Sequence, residues 1–352
     1  MDLNELRNSI DDIDNKILEL INKRLEVVKN VGLYKAQTKS SIYRPQREND
    51  ILSRLKHLNN GELTDKAIES IFFEIISVAR NIEHPDRVGY LGPEGTYTHQ
   101  AAKARFGGIT EYIPMNSIAN VFKALHNKEV KFAIVPIENN TDGIVGSTID
   151  SLLKYDVKIV ASMKMDIHHS FASTANDIKS IKRIYSHPQG YNQCLGFLDE
   201  HFLNNAEFIP TKSTAEAAKM ALADSSSAAI CPKIAASMNQ LPILFERIED
   251  NLANETRFLI LSDFQNAKEG NEKTAILAKT SDKAGALLEF LELFKANNIN
   301  LTKIESRPIQ EEGISRLFYI EFEGYYQDEN VRVIFDSGYD IKFLGSFVDS
   351  GV

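Results

Sequence analysis

Residues 254–261 read Asn254, Glu255, Thr256, Arg257, Phe258, Leu259, Ile260, Leu261. A polar knot carrying a hydroxyl and a guanidinium thus opens an apolar run of strand length. Two more knots stand in the same relation to apolar runs. Glu138, Asn139 and Asn140 leave FAIVPI (132–137), and Ser186, His187, Pro188 and Gln189 leave IKRIY (181–185). Ligands gather at strand ends in open α/β sheets, so three such knots in one stretch point to a single site for a small polar anion.

Outward from that stretch the chain divides into three modules. From Leu3 to Tyr34 there is no proline and one glycine, Gly32, while Leu3, Leu6, Ile10, Ile13, Ile17 and Leu20 recur at alternating threes and fours, the pattern of a long amphipathic helix. Pro45 opens a second helix to about His57, and Thr64 with Ile68, Ile71, Phe72, Ile75 and Ile82 marks a third. Residues 1–84 are therefore expected to be all helical. Short apolar runs then alternate with helical segments over 86–263, as in a doubly wound α/β domain. The polar run QNAKEGNEK (265–273) ends it. Over 273–352, TAILAK, a helix from Ala286 to about Asn297, INLTKIES, RLFYIEFE, a helix near Asp328 to Phe335 and IKFLGSF give a ferredoxin-like βαββαβ order.

The whole chain has 352 residues and a formal charge of -9, which argues against a nucleic-acid surface and for a small-molecule partner. The start, MDLNELRNS, lacks the charge and apolar core of a signal peptide, and no run approaches the roughly 18 apolar residues of a membrane span. A cytoplasmic protein is expected, without membrane contact. Cys194 and Cys231 are not in CxxC or zinc spacing and read as structural thiols. There is no Walker motif, and the glycines of GYLGPEG (89–95) do not form a dinucleotide fingerprint. Neither metal nor cofactor is expected.

In the first helix the alternating spacing beyond Leu20 lands on Arg24. Helical drift, with Ile21, Leu25 and Val28 taking over the seam, would leave Arg24 solvated. Lys35, eleven residues on and on the same face, roughly 16 Å along the axis, instead suggests a dianion held between the two cations. Arg7, about 25 Å from Arg24 and rotated by about 100°, would serve a partner's site.

The stretches LRNSIDDIDNKIL (6–18), NKRLEVVKNVGLYK (22–35) and YRPQREND (43–50) resemble the helical chorismate mutases. That resemblance implies Arg24 and Arg47 on the carboxylates of chorismate, Arg7 reaching in from a second subunit, Lys35 on the breaking ether oxygen, and Glu48 on the ring hydroxyl. Glu83 stands where many members carry glutamine, Ala79 where serine is common, and Arg44 where some carry an acid. A carboxylic acid donates a hydrogen bond only when protonated, so Glu83 implies a raised pKa or a mutase that works better in acid.

The middle module resembles prephenate dehydratase, through LGPEGTYTHQAA (91–102), VPIENNTDGIVGST (135–148), YSHPQGYNQC (185–194), TKSTAEAAK (211–219) and NETRFLIL (254–261). The implied fold is a two-lobed α/β cleft of the periplasmic-binding-protein kind. The implied roles are Thr256 as donor to the leaving hydroxyl, Asn139, Ser186 and Gln193 fixing prephenate, and Arg257 supplying positive charge. Glu138 is either a proton source or a structural partner of Arg257. If they lie on a strand, His168 and His169 alternate faces and make no metal pair there, so they read as structural. GALLEFLELF (285–294) and KIESRPI (303–309) resemble a phenylalanine-sensing ACT domain, implying Gly285, Ala286, Leu287, Glu305, Ser306, Arg307 and Pro308 around the effector.

Together these imply a homodimeric or tetrameric enzyme of phenylalanine biosynthesis, converting chorismate through prephenate to phenylpyruvate under phenylalanine inhibition. The alternatives are a dehydratase with a weak mutase, and a cytoplasmic sensor of aromatic ligands.

Overall fold

A computed structural model describes residues 2–38, 45–83, 87–141, 143–281, 283–311 and 314–349. The chain separates into two compact units: Met1–Asp86 with Phe106–Glu111, and Arg87–Arg105 with Tyr112–Val352.

The first unit holds α1 (Leu3–Thr38), α2 (Pro45–Leu58) and α3 (Asp65–Glu83). Pro45 occupies the first turn of α2, where its missing N–H costs nothing. The Thr64 hydroxyl accepts from Ala67 N at 3.2 Å and starts α3. Helix α3 buries Ile68, Ile76, Ala79 and Arg80. Residues 106–111 join this unit because Phe106 O accepts from both Ser77 Oγ (2.6 Å) and Arg80 Nη2 (2.9 Å). The α1 seam behaves differently. Leu3, Leu6, Ile10, Ile13, Ile17 and Leu20 are all exposed, so the described residues do not cover the periodicity that makes the helix.

The second unit starts with β1 (Arg87–Leu91), α4 (Tyr97–Phe106), β2 (Glu111–Met115), α5 (Ile118–His126), β3 (Phe132–Asn139), β4 (Gly143–Ile144), α6 (Gly146–Lys154) and β5 (Lys158–Asp166). A second lobe follows: β6 (Ser170–Ala172), β7 (Arg183–Ser186), α7 (Pro188–Asn192), α8 (Leu195–Glu200), β8 (Glu207–Pro210), α9 (Thr214–Leu222), β9 (Ser227–Cys231), α10 (Lys233–Met238) and β10 (Ile243–Glu246). Strand β11 (Glu255–Ser262) returns to the first lobe. After it come β12 (Lys273–Ser281), α11 (Ala286–Ala296), β13 (Leu301–Glu311), β14 (Ile314–Glu323), α12 (Glu329–Phe335) and β15 (Asp340–Asp349), the βαββαβ order read from the sequence.

Two sheets organise this unit. The smaller runs β10-β6-β9-β7-β8, packed under an alanine-rich layer that includes Ala217, Ala218, Ala221 and Ala236. The larger runs β13-β14-β12-β15-β5-β11-β3-β1-β2, with β4 on the flank of β3. The C-terminal segment is therefore joined to the first lobe by hydrogen bonds between β15 and β5, which run parallel with Val348 opposite Ala161 and Asp349 opposite Ser162. Gly345 allows that approach: a Cβ there would lie 2.3 Å from Ile159 O, and its φ is 143°. The core is continuous across the join, with Leu259, Leu261, Leu277, Tyr319, Leu344 and Phe347 in one cluster.

Candidate active site

Strand β11 lies antiparallel between β3 and β5 and pairs Thr256 with Asn139 and Arg257 with Glu138. Side chains alternate across a strand, so these two pairs face opposite ways. Thr256 and Asn139 line a cavity of about 460 Å³ between the lobes, together with Gln193, Asn254, His169 and Ser213. Leu91, Val145, Ile167 and Phe258 supply its apolar wall.

Polar contacts tie the cavity together. Asn139 Nδ2 donates to Thr256 Oγ1 (2.8 Å) and Asn254 Oδ1 (3.0 Å), while Asn139 Oδ1 accepts from Thr141 N (2.9 Å). Asn254 Nδ2 reaches Gln193 Oε1 at 3.4 Å, and His169 Nε2 lies 2.9 Å from the same oxygen. The far side of the His169 ring meets the Tyr97 hydroxyl at 2.7 Å from Nδ1. Burial lowers the His169 pKa, against the opposing pull of the Gln193 hydrogen bond and the Glu249 charge, which favours a neutral imidazole.

Among the described residues that line the cavity none is a carboxylate, and Lys212 brings a cation. Lys212 sits just before α9, whose first turn is capped by Ser213 Oγ accepting from Glu216 N at 3.1 Å. A helix N-terminus and a lysine at one wall favour an anion, and the apolar wall suits a ring.

Three expected site residues are placed elsewhere. Arg257 is buried against the C-terminal segment, with Nη1 2.6 Å from Glu321 Oε1 and Nη2 2.9 Å from Ser162 Oγ. Burial pulls its pKa down, but the Glu321 charge and hydrogen bond more than reverse this, and the net direction is upward. Glu138 accepts from Lys303 Nζ of β13 at 2.7 Å, so it is neither a cavity group nor the partner of Arg257. Ser186 is fully buried and its hydroxyl donates to His187 O at 3.0 Å, holding the turn from β7 into α7. For Arg257 and Glu138 the expectation joined neighbours in sequence that a strand turns to opposite faces.

From the sequence Tyr97 and Lys212 have no expected role, and His169 is expected to be structural. The cation directly before a serine-capped helix in TKSTAE could have marked Lys212. His168 and His169 lie between β5 and β6 and not on a strand, yet they point apart: His168 Nδ1 pairs with Glu249 Oε1 at 2.6 Å while His169 lines the cavity. Alternation alone could not say which histidine looks into the cleft.

In the helical unit, Arg24 Nη1 is buried with no hydrogen-bond partner among the described residues, and burial lowers its pKa. Glu48 Oε1 accepts from Arg80 Nη1 at 2.9 Å, and Arg7 and Arg47 are exposed. Helices α1 and α3 run through Lys35 and Glu83, but those side chains, and Arg44 entirely, lie outside the described residues.

In the C-terminal segment Gly285 caps α11 with φ 87°, and Ala286 and Leu287 open the helix. Glu305 lies 3.4 Å from Lys303 Nζ, and Ser306 and Pro308 are exposed. Arg307 turns to the first lobe, where Nη2 meets Asp150 Oδ2 at 3.2 Å and its guanidinium lies over Gly146. Cys194 and Cys231 are buried free thiols, and burial pushes Cys231 up to about 12. Among the described residues no cluster could hold a metal, and no helix is long and apolar enough to cross a membrane.

The family profile described as Prephenate dehydratase matches residues 88–266, and that described as Chorismate mutase type II matches residues 6–84. A bifunctional chorismate mutase/prephenate dehydratase of Aquifex aeolicus is 35% identical over 98% of both chains. The one of Pseudomonas aeruginosa is 37% identical over 98% of this chain and 97% of its own. A crystal structure of prephenate dehydratase in complex with L-Phe from Arthrobacter aurescens superposes with a TM-score of 0.69 at 32% identity, covering 75% of this chain and 90% of that one.

Proposed function

This chain belongs to the bifunctional chorismate mutase/prephenate dehydratases, and on that premise we propose how its residues divide the two reactions and how they are regulated. The mutase rearranges chorismate to prephenate; the dehydratase removes carbon dioxide and water from prephenate to give phenylpyruvate.

In the helical unit Arg24 and Arg47 bind the carboxylates of chorismate. Lys35 contacts the ether oxygen, Glu48 the ring hydroxyl, and Arg7 enters from a second copy. Support comes from the buried Nη1 of Arg24, which has no partner among the described residues, and from the exposed apolar stripe of α1, which a second copy would cover to make a homodimer. The rearrangement is pericyclic and uses no nucleophile, so the unit acts by holding the folded conformer and stabilising negative charge on the ether oxygen.

In the cleft, Lys212, the α9 N-terminus and Gln193 take the carboxylates of prephenate. The ring carbon loses its carboxylate as carbon dioxide, the released electron pair enters the ring, and the hydroxyl departs from the opposite carbon. Thr256 donates a hydrogen bond to that departing oxygen. One observation carries this assignment: Thr256 Oγ1 already accepts from Asn139 Nδ2 at 2.8 Å, so its own hydrogen is left to point into the cavity.

The C-terminal segment acts as an ACT domain that binds phenylalanine and lowers dehydratase turnover. The related prephenate dehydratase solved with L-Phe supports this, as does the attachment of β13 and β14 to the cleft strands through Lys303 and Glu138 and through Glu321 and Arg257. Metabolite substrates and two buried unpaired thiols fit a cytoplasmic setting. The test is Thr256→Val in the full chain. Conversion of prephenate should fall by about 10²-fold or more, while chorismate is still consumed at the parental rate. Parental dehydration by the variant would remove Thr256 from the reaction.

A further inference from the structure

Carboxamides can be drawn with oxygen and nitrogen exchanged, but one backbone group removes that freedom here. The Thr141 N–H can only donate, and it meets Asn139 Oδ1 at 2.9 Å. Asn139 Nδ2 is therefore the donor to Thr256 Oγ1 and to Asn254 Oδ1. That leaves Asn254 Nδ2 as donor to Gln193 Oε1, so the Gln193 oxygen is an acceptor and His169 Nε2, 2.9 Å away, carries a hydrogen. In a neutral ring Nδ1 is then bare and accepts from the Tyr97 hydroxyl at 2.7 Å.

The opposite tautomer would turn the Tyr97 hydroxyl to His168 O, 2.9 Å away, and set the Nε2 lone pair against the Gln193 oxygen. Turning Gln193 over would relieve that clash, but Asn254 Nδ2 would then face another donor. The chain of bonds thus has one self-consistent direction. Gln193 Nε2 is left buried at the cavity wall with no partner among the described residues.

We propose that His169, backed by Tyr97, is a positioning residue of the dehydratase: its Nε2–H pins the Gln193 oxygen so that the Gln193 NH₂ stays turned to the cavity as a donor to an acceptor oxygen of the substrate. This rests on reading the cavity as the prephenate site. A ligand rich in acceptors, a dicarboxylate carrying a hydroxyl, then meets donors from Gln193, Thr256 and Lys212 on separate walls, and a ligand offering donors at Gln193 is rejected.

The test is a double-mutant cycle on the full-length enzyme with prephenate as substrate, comparing Gln193→Ala, His169→Leu and the pair, plus His169→Gln, whose amide can replace the Nε2–H. His169→Leu should lower kcat/KM about tenfold, the worth of one well-placed hydrogen bond, and His169→Gln should recover most of it. In the Gln193→Ala background His169→Leu should cost nothing further. If His169→Leu fails to fold, Tyr97→Phe replaces it and should give a smaller loss that also vanishes with Gln193→Ala. Independent, multiplying losses would overturn the positioning role, as would a His169→Leu enzyme with parental kinetics beside an impaired Gln193→Ala. Parental kinetics in Gln193→Ala itself would overturn both the inference and the assignment of the cavity to prephenate.

Discussion

The ion pair behind β11 allows a stability prediction with a defined size. Arg257 and Glu321 are 9% and 1% exposed and 2.6 Å apart, and Tyr319 adds a 2.6 Å hydrogen bond to the same Glu321 oxygen. Glu321→Gln keeps the volume and removes the charge. It leaves the guanidinium with Ser162 Oγ at 2.9 Å and with Asp349 at 3.4 Å, a carboxylate nearly half exposed and already paired with Lys273. Removing one partner of a buried pair costs about 3–5 kcal/mol. The remaining contacts of Arg257 place the variant at the lower end, about 3 kcal/mol. For a unit of this size about 2 °C is lost per kcal/mol, so its calorimetric transition should drop by roughly 6 °C. The paired change Arg257→Met with Glu321→Met removes both charges and should restore parental stability or exceed it. A loss below about 1 kcal/mol in Glu321→Gln, the range of exposed pairs, would show that water reaches the guanidinium and refute the argument.

Two further outcomes follow from groups already placed. If Arg24 binds chorismate as proposed, Arg24→Leu in the helical unit removes a charged donor and should lower mutase kcat/KM roughly 10- to 100-fold. Supplied prephenate should still be dehydrated at the parental rate, and an unchanged mutase would remove Arg24 from that reaction. The His169 ring, faced by Tyr97, Gln193, His168 and Glu249, has a pKa lowered below its ordinary 6.5. The folded state therefore binds fewer protons than the unfolded one, so the stability this group contributes is complete above about pH 6.5 and is lost as pH falls toward the lowered folded value. Melting temperature should decline on acidification in that window, and His169→Gln should flatten part of the decline; an identical slope in both proteins would refute the assignment.

Much of this architecture is legible in the sequence because local signals suffice for it. Pro45, Thr64 and Asp328 mark helix starts that the structure places within a residue, and the βαββαβ order of the last segment follows from its periodicity. The dehydratase motifs lead to β3 and β11, two strands that line the cavity. What the sequence hides is facing. Thr256 and Arg257 are adjacent letters on opposite faces of a strand, and only the C-terminal sheet, whose Glu321 lies 64 residues on, explains where the guanidinium goes. The same holds for Glu138, whose partner Lys303 is 165 residues away. Such pairings come from tertiary contacts that no window of sequence contains.

The position of β11 also bears on synthesis. It lies between β3 and β5, yet the whole second lobe, residues 167–254, is made between β5 and β11. At about 5–20 residues per second a ribosome needs roughly 4–18 s for that interval. Throughout it the first lobe has open edges on both β3 and β5 where its middle strand belongs, and unpaired edges of that kind recruit other chains. The nascent protein is thus most exposed to aggregation just before residue 262 emerges, and chaperone occupancy along the message should peak there.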